Sequence, residues 1–287
     1  MHNIAFILCF GLLPLGALAE DIPLETTVIV APISPTSVLK SPTTEKPLLT
    51  VLTVDQYLGH RDDIAAYTEF TADLDLKLNT NNEIEVVQAL DRNTNISVTD
   101  REYTWVDTKL FHFYVITKDF HSVAIKWRNS LTLPASKASQ DQGLIAAPAV
   151  RVSFSKSFFG DVVVLGYRPT FRYNFNQFTT SLSGTPVKKM ILGHSLLGTF
   201  NFSDKLQATA LAASFIEWNE ATAFQTKPET SGGSYEFEGV LLYQINSYLS
   251  PHIGVDQADA TYKEGRFDVS LYHPANTRYF VGLDLSF

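Results

Sequence analysis

The sequence predicts an all-β fold, an antiparallel up-and-down transmembrane β-barrel of about twelve strands. Three observations predict it. Apolar and polar residues alternate with period two along most of the 287 residues. The alternating runs extend for about 10 to 14 residues, well beyond the usual soluble strand. Short and long polar links then alternate between the runs.

Composition agrees: 45% hydrophobic, 12% aromatic and 18% charged residues, with a mean hydropathy of +0.01. A disordered chain does not carry so many apolar side chains. Beyond residue 20 no stretch reaches the roughly 18 consecutive apolar residues of a spanning helix, which excludes a helical membrane bundle. A pI of about 5.3, with basic residues interleaved among apolar ones, gives nucleic-acid binding no support.

The chain opens on a secretory signal, residues 1–19. Ile4 to Leu18 are almost continuously apolar, and Ala17-Leu18-Ala19 has the small-x-small pattern of a cleavage site. No Lys or Arg precedes the apolar run, which departs from the usual signal. Cys9, the one cysteine, lies inside this segment and is followed by Phe10 rather than a small residue, which argues against lipid attachment. The mature chain has no thiol for disulfides, zinc fingers or iron–sulfur clusters.

Residues 20–46 are rich in Pro and Thr and lack an amphipathic period, the composition of an extended periplasmic segment. Within it Glu25, Thr26, Thr27, Val28, Ile29, Val30 and Ala31 form a short β-prone run. It resembles the TonB box of energy-coupled outer-membrane transporters, which adds a strand to a partner's sheet edge. The plainer reading is a Thr/Val-rich linker.

The barrel is expected over residues 47–287. The clearest alternation falls in residues 66–79, 122–133, 161–175 and 234–247. In the first, Phe70, Ala72, Leu74, Leu76 and Leu78 face one way, and Glu69, Thr71, Asp73, Asp75 and Lys77 the other. Leu48-Leu49, Phe111 to Ile116, Ile191-Leu192 and Val255 to Ala260 show no single face, so strands one, four, eight and eleven are poorly specified. Short turns are expected at Thr80-Asn81-Asn82, Lys118 to His121, Phe159-Gly160-Asp161, Ser203-Asp204-Lys205 and Ser250-Pro251-His252. Longer links are expected near residues 93–103, 134–146, 176–188, 220–233 and 263–276. Aromatic girdles follow, with Trp105, Tyr173, Phe175, Trp218, Tyr235, Phe237 and Tyr279 at the long-link ends of strands. Phe158, Phe200, Phe202 and Phe287 would form the other girdle.

At the C-terminus Tyr279, Val281, Leu283, Leu285 and Phe287 alternate with Gly282, Asp284 and Ser286. The run resembles the targeting strand of Gram-negative outer-membrane β-barrel proteins, with Phe280 where that pattern more often has a polar residue. The resemblance implies outer-membrane location, and the even strand count puts both mature termini on the short-turn side, expected to be periplasmic. The resemblance also implies contact with the bilayer and lipopolysaccharide, and recognition by periplasmic chaperones and the barrel-assembly machinery.

Function must come from the lumen. Alternation places an acidic wall there, made of Glu69, Asp73, Asp75, Glu83, Glu85, Glu236, Glu238 and Asp284. Lys126, Arg128, Arg151, Arg168 and Arg172 form a basic wall on strands five to seven, facing it. Opposed walls across an aqueous passage create a transverse field and resemble the constriction of general porins. The expected function is passive diffusion of small polar or charged solutes. The competing readings are a structural barrel closed by ion pairs between the walls, and a surface receptor or adhesin. Twelve strands lie between the filled eight-stranded and open sixteen-stranded barrels.

An outer-membrane lipid hydrolase is disfavoured. The outer-membrane phospholipase places a His and a Ser two residues apart on one strand face. Here His194 and Ser195 are adjacent and point to opposite faces. His112 reads as an interfacial or packed residue, and His60-Arg61-Asp62-Asp63 as a solvated loop. No catalytic residue, metal ligand or cofactor motif is identified.

Overall fold

The computed structural model describes residues 48–58, 67–93, 103–222, 230–263, 266–267, 269–272 and 276–287. The signal segment, residues 20–46 with the run Glu25 to Ala31, and His60 to Asp63 lie outside the described residues.

Twelve long strands form one antiparallel ring. They are β1 (Leu48–Leu58), β2 (Tyr67–Lys77), β3 (Asn82–Asn93), β4 (Thr108–Phe120), β5 (Val123–Leu133) and β6 (Leu144–Phe158). The other six are β7 (Val163–Tyr173), β8 (Lys188–Asn201), β9 (Leu206–Asn219), β10 (Thr230–Tyr243), β11 (Leu249–Ala260) and β12 (Thr277–Ser286). Each strand pairs with its neighbours in sequence, and β1 pairs with β12 from Val51↔Ser286 to Leu58↔Tyr279, which closes the ring. Closure leaves no free sheet edge, as a sheet in hydrocarbon requires.

Alternation sets the two faces. On β9, Gln207, Leu211, Ala213 and Glu217 are buried inside, whereas Ala210 and Ile216 are exposed outside. Leu74, Leu76, Phe171, Leu192, Leu196, Leu241 and Ile253 are exposed on the exterior. An apolar exterior of this extent is the surface that a hydrocarbon layer covers.

The short turns are built from local chemistry. Asn79 Oδ1 accepts from the backbone N–H of Asn81 at 2.9 Å and of Asn82 at 3.0 Å. His121 and Ser122 both have positive φ in a two-residue turn that joins Phe120 to Val123, the backbone a tight hairpin needs. The expected turn at Ser250-Pro251-His252 is corrected: these residues lie within β11, and the turn falls at residues 244–248. Asn246 decides it, its Oδ1 accepting from the N–H of Tyr248 at 2.8 Å while Ile245 N–H bonds to Leu249 O at 3.0 Å.

At the opposite end the long links knit together over β4 to β8. Asp107 accepts from the N–H groups of Ala135 (3.1 Å) and Ser136 (2.8 Å), and Ser136 caps the one-turn helix α1 (Lys137–Asp141). Gln177 N–H bonds to Gly143 O at 2.7 Å, and Leu182 N–H to Asp141 O at 3.3 Å.

Exposed rings mark both ends. Trp105, Phe175 and Tyr279 lie at the long-link end. Phe200, Phe202 and Phe287 lie at the other, joined by Phe120, Phe159, Tyr243 and Tyr248. Tyr235 corrects the girdle assignment: it is buried, because its hydroxyl accepts from Ser270 N–H at 3.1 Å beneath the link that follows β11.

Two of the poorly specified strands are irregular, β4 with register shifts between Val115 and Thr117 and between Thr117 and Phe120, and β8 with one between Lys188 and Met190. On β1, β4 and β11 two further causes blur the alternation. Rings point inward at Tyr57, Phe111 and Phe113, and glutamines point outward at Gln56, Gln88 and Gln257. Each outward glutamine is satisfied across its own hairpin by a threonine. Thr68 Oγ1 donates to Gln56 Oε1 at 2.6 Å, Thr277 Oγ1 to Gln257 Oε1 at 3.0 Å, and Thr108 Oγ1 to Gln88 Oε1. Their amides donate to backbone carbonyls, as Gln88 Nε2 does to Val106 O at 2.8 Å. Paired in this way, they do not carry the penalty of an unsatisfied group facing lipid.

Candidate functional site: a lumen with two charged arcs

Each side chain expected in the lumen lies on the inward register of its strand. On the basic side, Arg128 on β5 stands directly opposite Arg151 on β6, and Lys126 opposite Ser153. On β7, Arg172 pairs across with Ala149. Arg168, four residues from Arg172 on the same face, stands opposite Ser195 on β8. Lys126 is the exposed one, close to the short-turn end. On the acidic side, Asp75 stands opposite Glu85 and Lys77 opposite Glu83, in the β2–β3 pair. Glu69, Glu236 and Glu238 are buried, and Asp73 and Asp284 half-buried.

The structure adds members that the alternation did not reveal. Lys109 on β4, opposite Val87, extends the basic arc to four adjacent strands, β4 to β7. Asp55 on β1, Asp91 on β3 and Asp256 on β11 complete an acidic arc over six adjacent strands, β10 to β3 across the β12–β1 seam. Between the arcs the β8 and β9 faces present Ser195, Thr199 and Gln207, and the one acid there, Glu217 on β9, is paired with Lys188 of β8 at 2.8 Å.

Three basic side chains sit inside the acidic arc: Lys77 opposite Glu83, and Arg278 and His252, each in contact with a carboxylate. Arg278 on β12 grips Asp256 with two nitrogens, Nε donating to Oδ1 at 3.0 Å and Nη2 to Oδ2. Its Nη1 reaches the Tyr67 hydroxyl at 3.2 Å, and its guanidinium lies 5.5 Å from the centre of the Tyr57 ring. Tyr57 stacks on Tyr67 with ring centres 4.4 Å apart and touches Phe280. Phe280, the departure from the terminal strand pattern, lies over Gly254, where a Cβ would approach its ring to 2.1 Å.

His252 makes the other carboxylate contact. Its Nε2 meets Asp55 Oδ1 at 2.6 Å, and its Nδ1 faces Asp284 Oδ2 at 3.7 Å. Thr53 donates to Asp284 Oδ1 at 2.7 Å. The cluster joins β11, β12 and β1 across the seam.

The basic arc has no such partners. Arg151 Nε donates to Thr170 Oγ1 at 3.0 Å, Arg172 Nε to Asn174 Oδ1 at 2.8 Å, and Arg128 stacks over Phe111 at 4.6 Å. Among the described residues, no ion pair joins Lys126, Arg128, Arg151, Arg168 or Arg172 to an acidic side chain of the facing arc. The arcs nonetheless act on one another electrostatically, Glu236 with Arg151 and Lys109, and Glu85 with Arg128.

The fold is one seen before. The NanC porin overlaps it with a TM-score of 0.55, covering 82% of this chain and 98% of its own at 13% identity. An outer-membrane channel from Pseudomonas putida F1 overlaps with a TM-score of 0.57, covering 89% and 100% at 10% identity. No protein-family model and no curated protein matches the sequence. The likeness concerns the path of the chain, and the charges of the lumen must be read from these residues.

The adjacent pair His194-Ser195 is divided by the sheet. Ser195 is buried in the lumen, and His194 is exposed on the exterior, 6.5 Å from the Tyr167 ring centre. A nucleophile and base on opposite faces of one strand cannot exchange a proton.

Proposed function

We propose that the chain is a passive, non-enzymatic channel for small polar or charged solutes in a bacterial outer membrane. The observation that carries this reading is that the two charged arcs face each other without pairing. A structural plug would join them, because ionised groups withdrawn from water are stable only when paired. Unpaired arcs are matched instead to a lumen that conducts water and solutes, with a field across it that orients dipoles.

In this reading the short-turn end is periplasmic. The terminal strand is offered to the assembly machinery and its chaperones, and the long links face lipopolysaccharide. The exposed rings at both ends sit at the two interfaces.

The purified mature protein in a planar bilayer is expected to give discrete conductance steps in KCl. A folded protein that gives none rejects the channel. Removing residues 25–31 is expected to leave those steps and passive solute flux unchanged, since diffusion needs no energy-coupling partner. Loss of uptake in cells with the conductance intact would instead support the TonB-box reading.

A further inference from the structure

Glu236 and Glu238 stand two residues apart on the lumen face of β10 and are only 3% and 9% exposed. The Oε2 of each has no hydrogen-bond partner among the described residues. A buried carboxylate oxygen without a donor is costly, by several kcal/mol in order of magnitude. Arg278 acts on both glutamates at a distance, but its hydrogen bonds go to Asp256 and Tyr67, so neither Oε2 gains a donor.

Across the passage the deficit has the opposite sign. Arg151 and Lys109 act on Glu236 from the basic arc without touching it. Beside Arg151, the buried Nε of Arg128 has no acceptor among the described residues. Two unsatisfied acceptors therefore face an unsatisfied donor inside one lumen. A simple cation drawn to the glutamates is repelled by Arg151 and Lys109, and a simple anion drawn to the basic arc is repelled by the glutamates. A solute with an ammonium at one end and a carboxylate at the other satisfies both sides.

We propose that Glu236 and Glu238, facing Arg128, Arg151 and Lys109, form a binding station for small zwitterionic solutes such as a short peptide, whose ammonium and carboxylate lie at opposite ends. The ammonium donates to Oε2 of Glu236 and Glu238, and the carboxylate accepts from Arg151 and the Nε–H of Arg128. The station names the solute class of the proposed channel and, as a route for passage, rests on that reading.

Calorimetry on the detergent-solubilised mature protein separates the two. Triglycine is expected to bind about tenfold more tightly than either N-acetyl-triglycine, which lacks the ammonium, or triglycine amide, which lacks the carboxylate. Glu236→Gln with Glu238→Gln is expected to remove the advantage of triglycine over N-acetyl-triglycine, with compact migration of the unheated variant on a gel reporting that it folds. Equal affinity for the three peptides, or a folded double variant that still prefers triglycine, overturns the station. Peptide discrimination without conductance steps in KCl rejects the channel and leaves the station standing; steps without discrimination do the reverse.

Discussion

Gly282→Ala is expected to destabilise the barrel by ~3 kcal/mol, the order found when a buried charged pair is broken. A Cβ at this position would lie 1.8 Å from Asp55 Oδ1 and 2.2 Å from His252 Nε2. Neither group has room to yield. His252 is fully buried between Asp55 and Asp284, and Asp284 is held in turn by Thr53. The methyl group therefore breaks the pair or pushes β12 away from β1 and β11. Thermal unfolding followed by the change in gel migration on heating measures the loss. Gly198→Ala is the control, since its Cβ meets only Leu165 Cδ2 at an ordinary 3.8 Å. An unchanged unfolding midpoint for Gly282→Ala would show that the Asp55–His252 contact is dispensable.

Arg151→Glu is expected to shift the anion-to-cation permeability ratio toward cations by about tenfold. A monovalent ion passing about 8 Å from a unit charge, at an effective dielectric of about 40, feels roughly 1 kcal/mol. Reversing the charge changes the energy of each ion by about twice that, in opposite senses for anion and cation, and screening by salt takes back most of it. Arg151 is suited to the test because it acts on Glu236 from the facing arc. The reversal potential under a KCl gradient reports the ratio. Lys126→Glu, close to the short-turn end, is expected to shift it less. A ratio unmoved by Arg151→Glu would remove this residue from the ion's path.

The strands that could be read from sequence are those whose two faces differ sharply. Residues on β2, β5, β7 and β10 separate into a lipid face and a charged face, so their lumen charges were legible from alternation alone. β1, β4 and β11 were not legible, because each mixes the usual chemistry of the faces. Tyr57 and Phe111 turn inward, where they stack with Tyr67 and Arg128, and Gln56 and Gln257 turn outward, where a cross-strand threonine satisfies them. Lys109, Asp55, His252 and Asp256 lie on those strands and were missed with them. Arg278 was missed for another reason: its residues read as the start of a strand just beyond a polar link, and only the β11 register sets it beside Asp256. Pro251 and its neighbours suggested a turn by composition, whereas Asn246 made one by hydrogen bonding. The ring size followed from counting links, but the charge map needed each strand's register.

The β1–β12 seam joins segments that lie more than two hundred positions apart, as the Thr53–Asp284 contact does with a separation of 231. Every other neighbouring pair in the ring is adjacent in chain order and forms from a hairpin. Along the chain ten strand pairings thus become possible one after another, while the last two, β11–β12 and β12–β1, wait for the final ten-residue strand. Until then β1 presents an unpaired edge, which is the form of sheet most open to wrong partners. The chain therefore commits to its ring in one late event, and the same few residues around His252 that bolt the seam also mark the moment at which the molecule becomes a barrel.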